Sequence, residues 1–275
     1  MNPYGKPHLE HEVRGEGQSV ILLHGLTAVG SQVLHGSRRL ERAGHQIVTF
    51  DARSHGRSDP PPPEVPLADA YSYQALSADL ERIVQETLTD GGSFYLAGSS
   101  MGAHTAVRYA LETPQRVAGV ILIGPAYAGE EIEPDGLASW EELSDGLRSA
   151  GVEGFVDAYS RVTRTSPEWH DRLLALARDR ISLHEHPEAL ADALWWIPRS
   201  RPFGEIDDLK ALEVPALIIG SDDEADPGHP AAVAESWAAA IPDSRLVLDG
   251  PDQTPTAWQG GRLSDLIAEF TRETA

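Results

Sequence analysis

Short apolar runs alternate with longer segments of helical character along most of the chain. Four runs are continuously apolar, as expected of strands that are covered on both faces of a sheet: Val20–Leu23, Phe94–Ala97, Val117–Ile123 and Ala216–Ile219. Gln46–Phe50 and Arg245–Leu248 are two further predicted strands. This alternation predicts an α/β protein with a mostly parallel central sheet and helices on both faces.

Helical segments and one turn complete the predicted framework. The predicted helices of the core are Ser31–Ala43, Ser72–Leu88, Ala103–Leu111, Pro230–Ala240 and Gly261–Arg272. Near the N-terminus, Gly15-Glu16-Gly17 separates two strand-like segments, which is typical of a hairpin turn. We therefore expect His8–Val13 and Gln18–Leu23 to form an opening hairpin.

The strand rhythm stops between residues 126 and 203, where three segments look helical: Ser139–Ala150, Pro167–Leu183 and Pro187–Ile197. We predict that residues 126–203 form a helical cap inserted into a core made of residues 1–125 and 204–275. Trp140, Trp195 and Trp196 lie in this cap. They indicate an apolar or aromatic substrate if they face a pocket, and otherwise pack the cap onto the core.

The composition narrows the classes of partner and site. The formal net charge of −21 predicts a surface that repels nucleic acid and anionic membranes. The absence of cysteine excludes disulfides, thiolate catalysis and cysteine metal sites. The N-terminus has no apolar signal core, and no later apolar run is long enough to span a membrane. We expect a cytoplasmic protein with a small-molecule substrate.

One serine lies in a setting that favours nucleophilic chemistry. The segment Gly98-Ser99-Ser100-Met101-Gly102 fits the pattern G-x-S-x-G, with Ser100 at its centre. It follows a predicted strand and precedes a predicted helix, which is the context of a nucleophile elbow. In such a turn the serine hydroxyl stands clear of the backbone, and the Met101 amide at the helix start can face a developing negative charge.

Several segments together resemble the α/β-hydrolase fold family over nearly the whole chain. They are His24-Gly25 after a strand, the elbow at Ser100, Val214–Asp223, and Asp51–Ser58, which is similar to the family's D-x-R-G-x-G-x-S loop. Ser54 stands where glycine is usual in that loop, a difference that we interpret as a matter of loop geometry. The resemblance implies serine-centred chemistry, with an oxyanion held by the backbone amides of Leu26 and Met101.

The resemblance also implies an acid and a base after Ser100 in the chain. Asp223 lies where the family places its acid; Asp222 and Asp226 are alternatives. Relatives carry the histidine base after the last strand, but this chain has Gln253 there and no histidine beyond His229. Glutamine cannot take up a proton near neutral pH. Gln253 therefore fills the place of the base without its chemistry.

Three explanations of Gln253 remain open. The chain is an inactivated form of a hydrolase in which glutamine replaces histidine, which we favour; or a natural member that does not need serine acylation; or a protein whose base is another histidine. The candidates for that base have structural interpretations of their own: His24, His55 and His104 as packed or loop-ordering residues, His184 and His186 as cap residues, and His229 as the start of a helix.

We therefore predict a serine hydrolase acting on a small carboxylic ester or lactone, with very low activity because of Gln253. Ser100 would attack the acyl carbon, and Asp223 would orient the base. No metal or organic cofactor is expected. Serine at the elbow argues against the dehalogenases and epoxide hydrolases of this fold, which use aspartate there. The alternative is a natural non-hydrolytic protein that binds or isomerises a hydrophobic small molecule.

Overall fold

The computed structural model describes residues 3–275 except 90, 131, 164, 166, 223–225, 227 and 252. In this described part, seven strands form one sheet: β1 (His11–Arg14), β2 (Gln18–Leu23), β3 (His45–Phe50), β4 (Phe94–Ser99), β5 (Val117–Ile123), β6 (Ala216–Ser221) and β7 (Ser244–Asp249). Their spatial order is β1-β3-β2-β4-β5-β6-β7. Each neighbouring pair is parallel except β1 with β3. The predicted α/β class and mostly parallel sheet are confirmed.

The connecting α-helices are α1 (Arg39–Arg42), α2 (Leu67–Ala70), α3 (Tyr73–Thr87), α4 (Met101–Glu112), α5 (Pro134–Val162), α6 (Pro167–Ile181), α7 (Pro187–Trp196), α8 (Ala231–Ala240) and α9 (Gly260–Glu273). Short 3₁₀ helices cover Gly30–Gln32, Pro114–Arg116, Ile197–Arg199, Ile206–Ala211 and Thr256–Trp258. α5 is kinked at Ala150 and Gly151, whose backbone angles are not helical. Among the described helices, none is long and apolar enough to cross a lipid bilayer.

The predicted opening hairpin is wrong, because β3 lies between the two strands that were expected to pair. β1 runs antiparallel to β3, and β2 runs parallel to the other edge of β3. Gly15 and Gly17 have φ of 73° and 103° and pass so close to the carbonyls of His45 and Gly44 that a Cβ on either glycine would overlap them. The glycines therefore allow a crossing over the start of β3 instead of a hairpin turn.

The predicted helix over Ser31–Ala43 is also mostly wrong. The structure has the short helix Gly30–Gln32 and the single turn α1, with a turn between them. His35 and Gly36 interrupt the segment with φ of 47° and 76°. These left-handed angles cannot continue a right-handed helix.

Helices α5, α6 and α7 lie between β5 and β6 in the chain, and the segment that contains them is called here the helical insertion. It contacts loops that follow the carboxyl ends of β2 and β3. His184 bonds to the Gly56 amide (2.9 Å) and to the Thr27 carbonyl (3.3 Å). One apolar cluster joins Leu147, Phe155 and Leu194 of the insertion to residues of the core that include Leu26 and Met101. The insertion therefore packs on the sheet edge that carries the Ser100 turn.

Candidate active site

Ser100 lies in the tight turn between the end of β4 and the start of α4. Its φ of 52° and ψ of −115° are unfavourable for a residue with a side chain, and such strain, about 1–3 kcal/mol, persists only where the surroundings hold it. Here the Ser100 amide donates a hydrogen bond to the Ile123 carbonyl at 2.9 Å, and the Ser100 carbonyl accepts one from the His104 amide at 3.0 Å. The turn is fixed at both ends, and Ser100 stays partly exposed.

The glycines on both sides of Ser100 are required by close packing. A Cβ on Gly98 would overlap the carbonyl of Gly102, and a Cβ on Gly102 would overlap the carbonyl of Leu23 in β2. The first turn of α4 is therefore packed directly against the ends of β4 and β2. This contact gives a physical reason for the G-x-S-x-G pattern that the sequence shows.

The backbone amides of Leu26 and Met101 are candidates for binding negative charge near Ser100. A Cβ on Gly25 would lie 3.4 Å from the Ser100 Cβ, so the loop that carries Leu26 packs against the elbow. Met101 is the first residue of α4, where an amide has no intrahelical acceptor. Within the described residues, neither the Leu26 nor the Met101 amide donates a hydrogen bond. Free N–H groups next to a serine are what an oxyanion hole requires.

Gln253 lies in the loop between β7 and the short helix Thr256–Trp258. Its amide donates to the Gly250 carbonyl at 3.1 Å, and its side chain is exposed. Asp249 anchors the loop, because its carboxylate accepts hydrogen bonds from the Thr256 amide (2.5 Å) and hydroxyl (2.9 Å). In the described part of the chain, the Gln253 side chain forms no hydrogen bond with Ser100.

Of the three candidate acids, two can be placed. Asp223, the predicted acid, lies outside the described residues. Asp222 is exposed, and its amide continues the ladder with the Asp249 carbonyl (3.0 Å). Asp226 is partly buried and accepts a hydrogen bond from His229 Nδ1 at 2.6 Å.

His24 and His104 have both ring nitrogens engaged in hydrogen bonds. His24 Nε2 accepts from the Ala52 amide (2.9 Å), while Nδ1 donates to the Gly25 carbonyl (2.8 Å). His104 Nε2 accepts from two amides at the start of the helical insertion (3.1 and 3.2 Å), and Nδ1 bonds to the Tyr73 hydroxyl (2.8 Å). Burial, with a neighbouring histidine in each case, lowers the pKa of both to about 3. They orient backbone and do not exchange protons near neutrality.

His55 and His184 are held in the same way. His55 Nε2 lies 2.7 Å from the Leu26 carbonyl and Nδ1 lies 2.9 Å from the Arg53 carbonyl. His184 Nδ1 accepts from the Gly56 amide, and burial, followed by the neighbouring His55, lowers the His184 pKa to about 3. Burial also lowers the pKa of His55. His184 is thus committed to backbone contacts, and within the described residues no cluster of three potential metal ligands forms around it or elsewhere.

His229 is different, because its partner is a carboxylate and its side chain packs against Gly124 at the end of β5. A Cβ on Gly124 would lie 3.2 Å from His229 Cγ and 3.3 Å from Cδ2. Gly124 directly follows Ile123, whose carbonyl holds the Ser100 amide. α8 begins at Ala231, so His229 precedes the helix that it was expected to start.

Residues 18–253 match the sequence profile of a family described as alpha/beta hydrolase fold. The chain belongs to this family. Its match extends from β2, through the elbow, to the loop that carries Gln253. The matched range therefore contains strands β2 to β7 and the turn at Ser100.

Several curated relatives and solved structures of other proteins are similar to this chain. The chain is 28% identical, over 88% of its length and 90% of the relative's, to 2-hydroxy-6-oxononadienedioate/2-hydroxy-6-oxononatrienedioate hydrolase 2 of Pseudomonas putida. It is 25% identical, over 84% and 83%, to the non-heme chloroperoxidase CPO-A1 of Kitasatospora aureofaciens. A thermophilic esterase of Thermogutta terrifontis superposes with a TM-score of 0.77 at 24% identity, covering 98% and 94%. The enol-lactonase of Burkholderia xenovorans LB400 gives 0.74 at 21%, covering 98% and 96%.

The structure of this alpha/beta hydrolase brings together part of the predicted site and adds one pair to it. Met101 follows Ser100 at the start of α4, and Gly25, which precedes Leu26, packs against the Ser100 Cβ, whereas the Gln253 side chain forms no hydrogen bond with Ser100 in the described residues. The Asp226–His229 pair was missed as a unit. Its signal in the sequence is the spacing of three between an aspartate and a histidine after β6, which became meaningful only when the fold placed His229 against Gly124.

The tryptophans of the insertion have packing roles in the structure. Trp140 and Trp196 are partly buried against the apolar cluster that contains Met101. The Arg199 guanidinium lies 4.2 Å above the ring of Trp195. Trp169 of α6 meets Trp258, which follows the Gln253 loop, edge-to-face at 5.9 Å between ring centroids. This last contact joins α6 to the short helix that follows the Gln253 loop.

Proposed function

We propose that this alpha/beta hydrolase is a serine hydrolase of small carboxylic esters or lactones, with Ser100 as nucleophile. The observation that carries the proposal is the strained, fixed turn at Ser100 beside two amides, of Leu26 and Met101, without acceptors in the described structure. Attack of Ser100 on an acyl carbon places negative charge on the carbonyl oxygen. Preorganised N–H donors stabilise that charge, and removing one such donor typically costs about 10²–10³ in kcat.

The substrate class is supported by chemistry and by similarity. Among similar proteins are a hydrolase, an esterase and an enol-lactonase, and acyl transfer through serine needs no metal or organic cofactor. The helical insertion would act as a cap, residues 126–203, over a core of residues 1–125 and 204–275. The net charge of −21 disfavours a polyanionic substrate.

Gln253 cannot act as a general base, which limits the rate of hydrolysis through this position. A serine nucleophile needs a neighbouring base, and the amide of glutamine cannot take up the proton. Loss of the histidine in a serine hydrolase can lower kcat by about 10⁶, leaving about 10³–10⁴ over water from the oxyanion hole and binding. With Asp223 and Gln253 in the places of acid and base, turnover that depends on residue 253 would be very low.

The second candidate function is binding or isomerisation of a hydrophobic small molecule without hydrolysis. Gln253 favours it, because an amide can donate a hydrogen bond to a ligand carbonyl while leaving the ligand intact. The two functions differ in what they require of Ser100. Hydrolysis requires a reactive hydroxyl next to the two amides, and binding does not.

The test is turnover of a short activated ester by the wild type, Gln253→His, and Gln253→His combined with Ser100→Ala. We expect Gln253→His to exceed the wild type, by up to about 10⁶ where residue 253 is the sole base, and Ser100→Ala to remove the gain. A folded Gln253→His variant that binds the ester but shows no turnover dependent on Ser100 would contradict the proposal. The second candidate would then be preferred.

A further inference from the structure

We propose that His229, oriented by Asp226, is the general base that takes the proton of Ser100 in this chain, in place of residue 253. The inference rests on the proposed function, because it presupposes Ser100 as the nucleophile. It departs from the sequence prediction in both members of the pair. In this proposal Asp226 orients His229, which follows β6, and not a residue in the loop after β7.

The position of His229 is fixed by the end of β5. Gly124 has φ of 55°, and a Cβ there would lie only 3.2–3.5 Å from three atoms of His229. The preceding carbonyl, of Ile123, accepts the hydrogen bond of the Ser100 amide. The end of β5 therefore contacts both the nucleophile turn and His229, and the absence of a side chain at Gly124 leaves room for the imidazole ring.

The hydrogen bonds of His229 leave one nitrogen available. Nδ1 lies 2.6 Å from Asp226 Oδ1. Within the described residues, Nε2 forms no hydrogen bond, and 27% of the side chain is exposed. His24 and His104, which also lie near the elbow, have both nitrogens committed to other groups. An imidazole with a carboxylate on one nitrogen and a free second nitrogen is the arrangement that activates a serine.

The charges around the ring favour its protonation during catalysis. Burial lowers the pKa of His229, but the charge and the hydrogen bond of Asp226 oppose it and leave the pKa above its ordinary value. Arg180 of α6 acts in the opposite direction. His104, with a pKa of about 3, is neutral near pH 7 and adds no repulsion there. Asp226 can therefore stabilise the imidazolium that forms when the ring accepts a proton.

The proton balance follows from these contacts. The Ser100 O–H bond breaks, its proton passes to His229 Nε2, and the oxygen bonds to the acyl carbon. The tetrahedral intermediate expels the alcohol oxygen, which takes the proton from Nε2. Water then gives a proton to Nε2 as it attacks the acyl group, and Ser100 recovers the proton when it leaves. Since no direct Ser100–His229 hydrogen bond is present among the described contacts, the transfer uses one bridging water or a side-chain rotation.

The test compares kcat and kcat/KM for a short activated ester in the wild type, His229→Gln, Asp226→Asn and Ser100→Ala. His186→Gln serves as the matched control, because His186 is a half-exposed histidine of the insertion, 3.9 Å from Asp59. Circular dichroism and thermal unfolding establish that each variant is folded. We expect His229→Gln to lower kcat by about 10²–10⁴, and His186→Gln to leave it unchanged.

Two further readouts separate a base from a merely structural residue. Asp226→Asn removes the group that raises the His229 pKa, so the acid limb of the kcat/KM profile should move to lower pH. Adding Gln253→His to His229→Gln should restore turnover by supplying a base from the other loop. Both effects are expected only if the lost function is proton transfer.

The outcomes distinguish this inference from the proposed function. If Ser100→Ala abolishes turnover but His229→Gln behaves like His186→Gln, His229 is not the base and the hydrolase remains. If the wild type has no turnover dependent on Ser100 while Gln253→His does, the inference is again overturned and the proposed function stands. If neither protein shows turnover dependent on Ser100 while both bind the ester, both proposals fail.

Discussion

The amide of Ser100 donates a hydrogen bond of 2.9 Å to the carbonyl of Ile123, and this bond joins the elbow to the end of β5. It helps to hold the strained turn at Ser100. Gly124 directly follows Ile123, so a side chain that packs against Gly124 lies close to the end of β5 that holds the nucleophile turn. His229 is the side chain that packs there.

The close packing at Gly102 predicts that a methyl group will disturb the elbow. In Gly102→Ala the new Cβ would overlap the Leu23 carbonyl, and overpacking of this kind typically costs about 1–3 kcal/mol. We expect a lower urea midpoint for Gly102→Ala. Gly250→Ala is the control, because a Cβ at Gly250 meets no atom within 4 Å. Equal midpoints for the two variants would show that the elbow is not packed as described.

Ser54 occupies a left-handed position with φ of 66°, and its hydroxyl lies 2.7 Å from the Tyr71 hydroxyl. Replacing it with alanine or glycine removes the same hydrogen bond, but only glycine relieves the backbone. We expect Ser54→Ala to be less stable than Ser54→Gly by about 1–2 kcal/mol. The free energies of unfolding in urea measure the difference. A more stable alanine variant would contradict the strain at this position.

Arg53 and Asp79 form a bidentate ion pair, at 2.7 and 2.9 Å, in which both side chains are almost fully buried. Asp79→Asn would leave the guanidinium charge without its counterion, and breaking such a pair typically costs about 3–5 kcal/mol. Glu153→Gln, which breaks the exposed pair with Arg178, should cost far less, because solvent screens an exposed ion pair. Denaturant unfolding of the two variants tests the contrast. Similar losses would mean that Arg53 gains another partner or water.

The buried histidines predict that the folded protein loses stability at acidic pH. The pKa values of His24, His104 and His184 fall to about 3 in the folded protein from an ordinary 6.5. Below pH 6.5 the unfolded state therefore binds more protons than the folded state, so stability is present above that pH and declines as the pH falls towards 3. Each histidine contributes about 1.4 kcal/mol per pH unit in this window.

Urea unfolding at several pH values measures this dependence, and His104→Gln is the comparison. Glutamine can still accept hydrogen bonds from the backbone amides but cannot be protonated. The variant should lose less stability per pH unit than the wild type. An unchanged slope would show that His104 is not a neutral buried histidine.

The central strands β2, β4, β5 and β6 were predictable because each contains a local apolar run. The bounds of β5 are those predicted, and β6 and β7 extend the predicted runs by only one or two residues at an end. The pairing of β1 was not predictable in this way, because its partner β3 lies more than thirty residues further along the chain and the glycines of the intervening turn also suit a hairpin. The helix expected at Ser31–Ala43 failed because His35 and Gly36 have left-handed backbone angles, which the hydrophobic pattern of the sequence does not reveal.

The residues of the candidate site also differ in how far they could be predicted from local sequence. Ser100 and Met101 could be named from one short motif, because they are neighbours in the sequence and in space, whereas Leu26 was implied only by the resemblance to the family. The Asp226–His229 pair could not be named, because its significance depends on the packing of His229 against Gly124, about a hundred residues earlier. For Gln253, the position could be predicted from the sequence but the structure does not reveal its role. The motif position is clear in the sequence, but the structure provides no side-chain partner for it among the described residues.

The most direct test of the account is covalent labelling of Ser100. The wild type and Gln253→His would be treated with an activated phosphonate that reacts with nucleophilic serines, and the modified peptide would be identified by mass spectrometry, with Ser100→Ala as control. The account predicts one label, on Ser100, in both proteins. Folded proteins that take up no label, or take it up on another serine, would contradict the proposal that Ser100 is a nucleophile held beside an oxyanion hole.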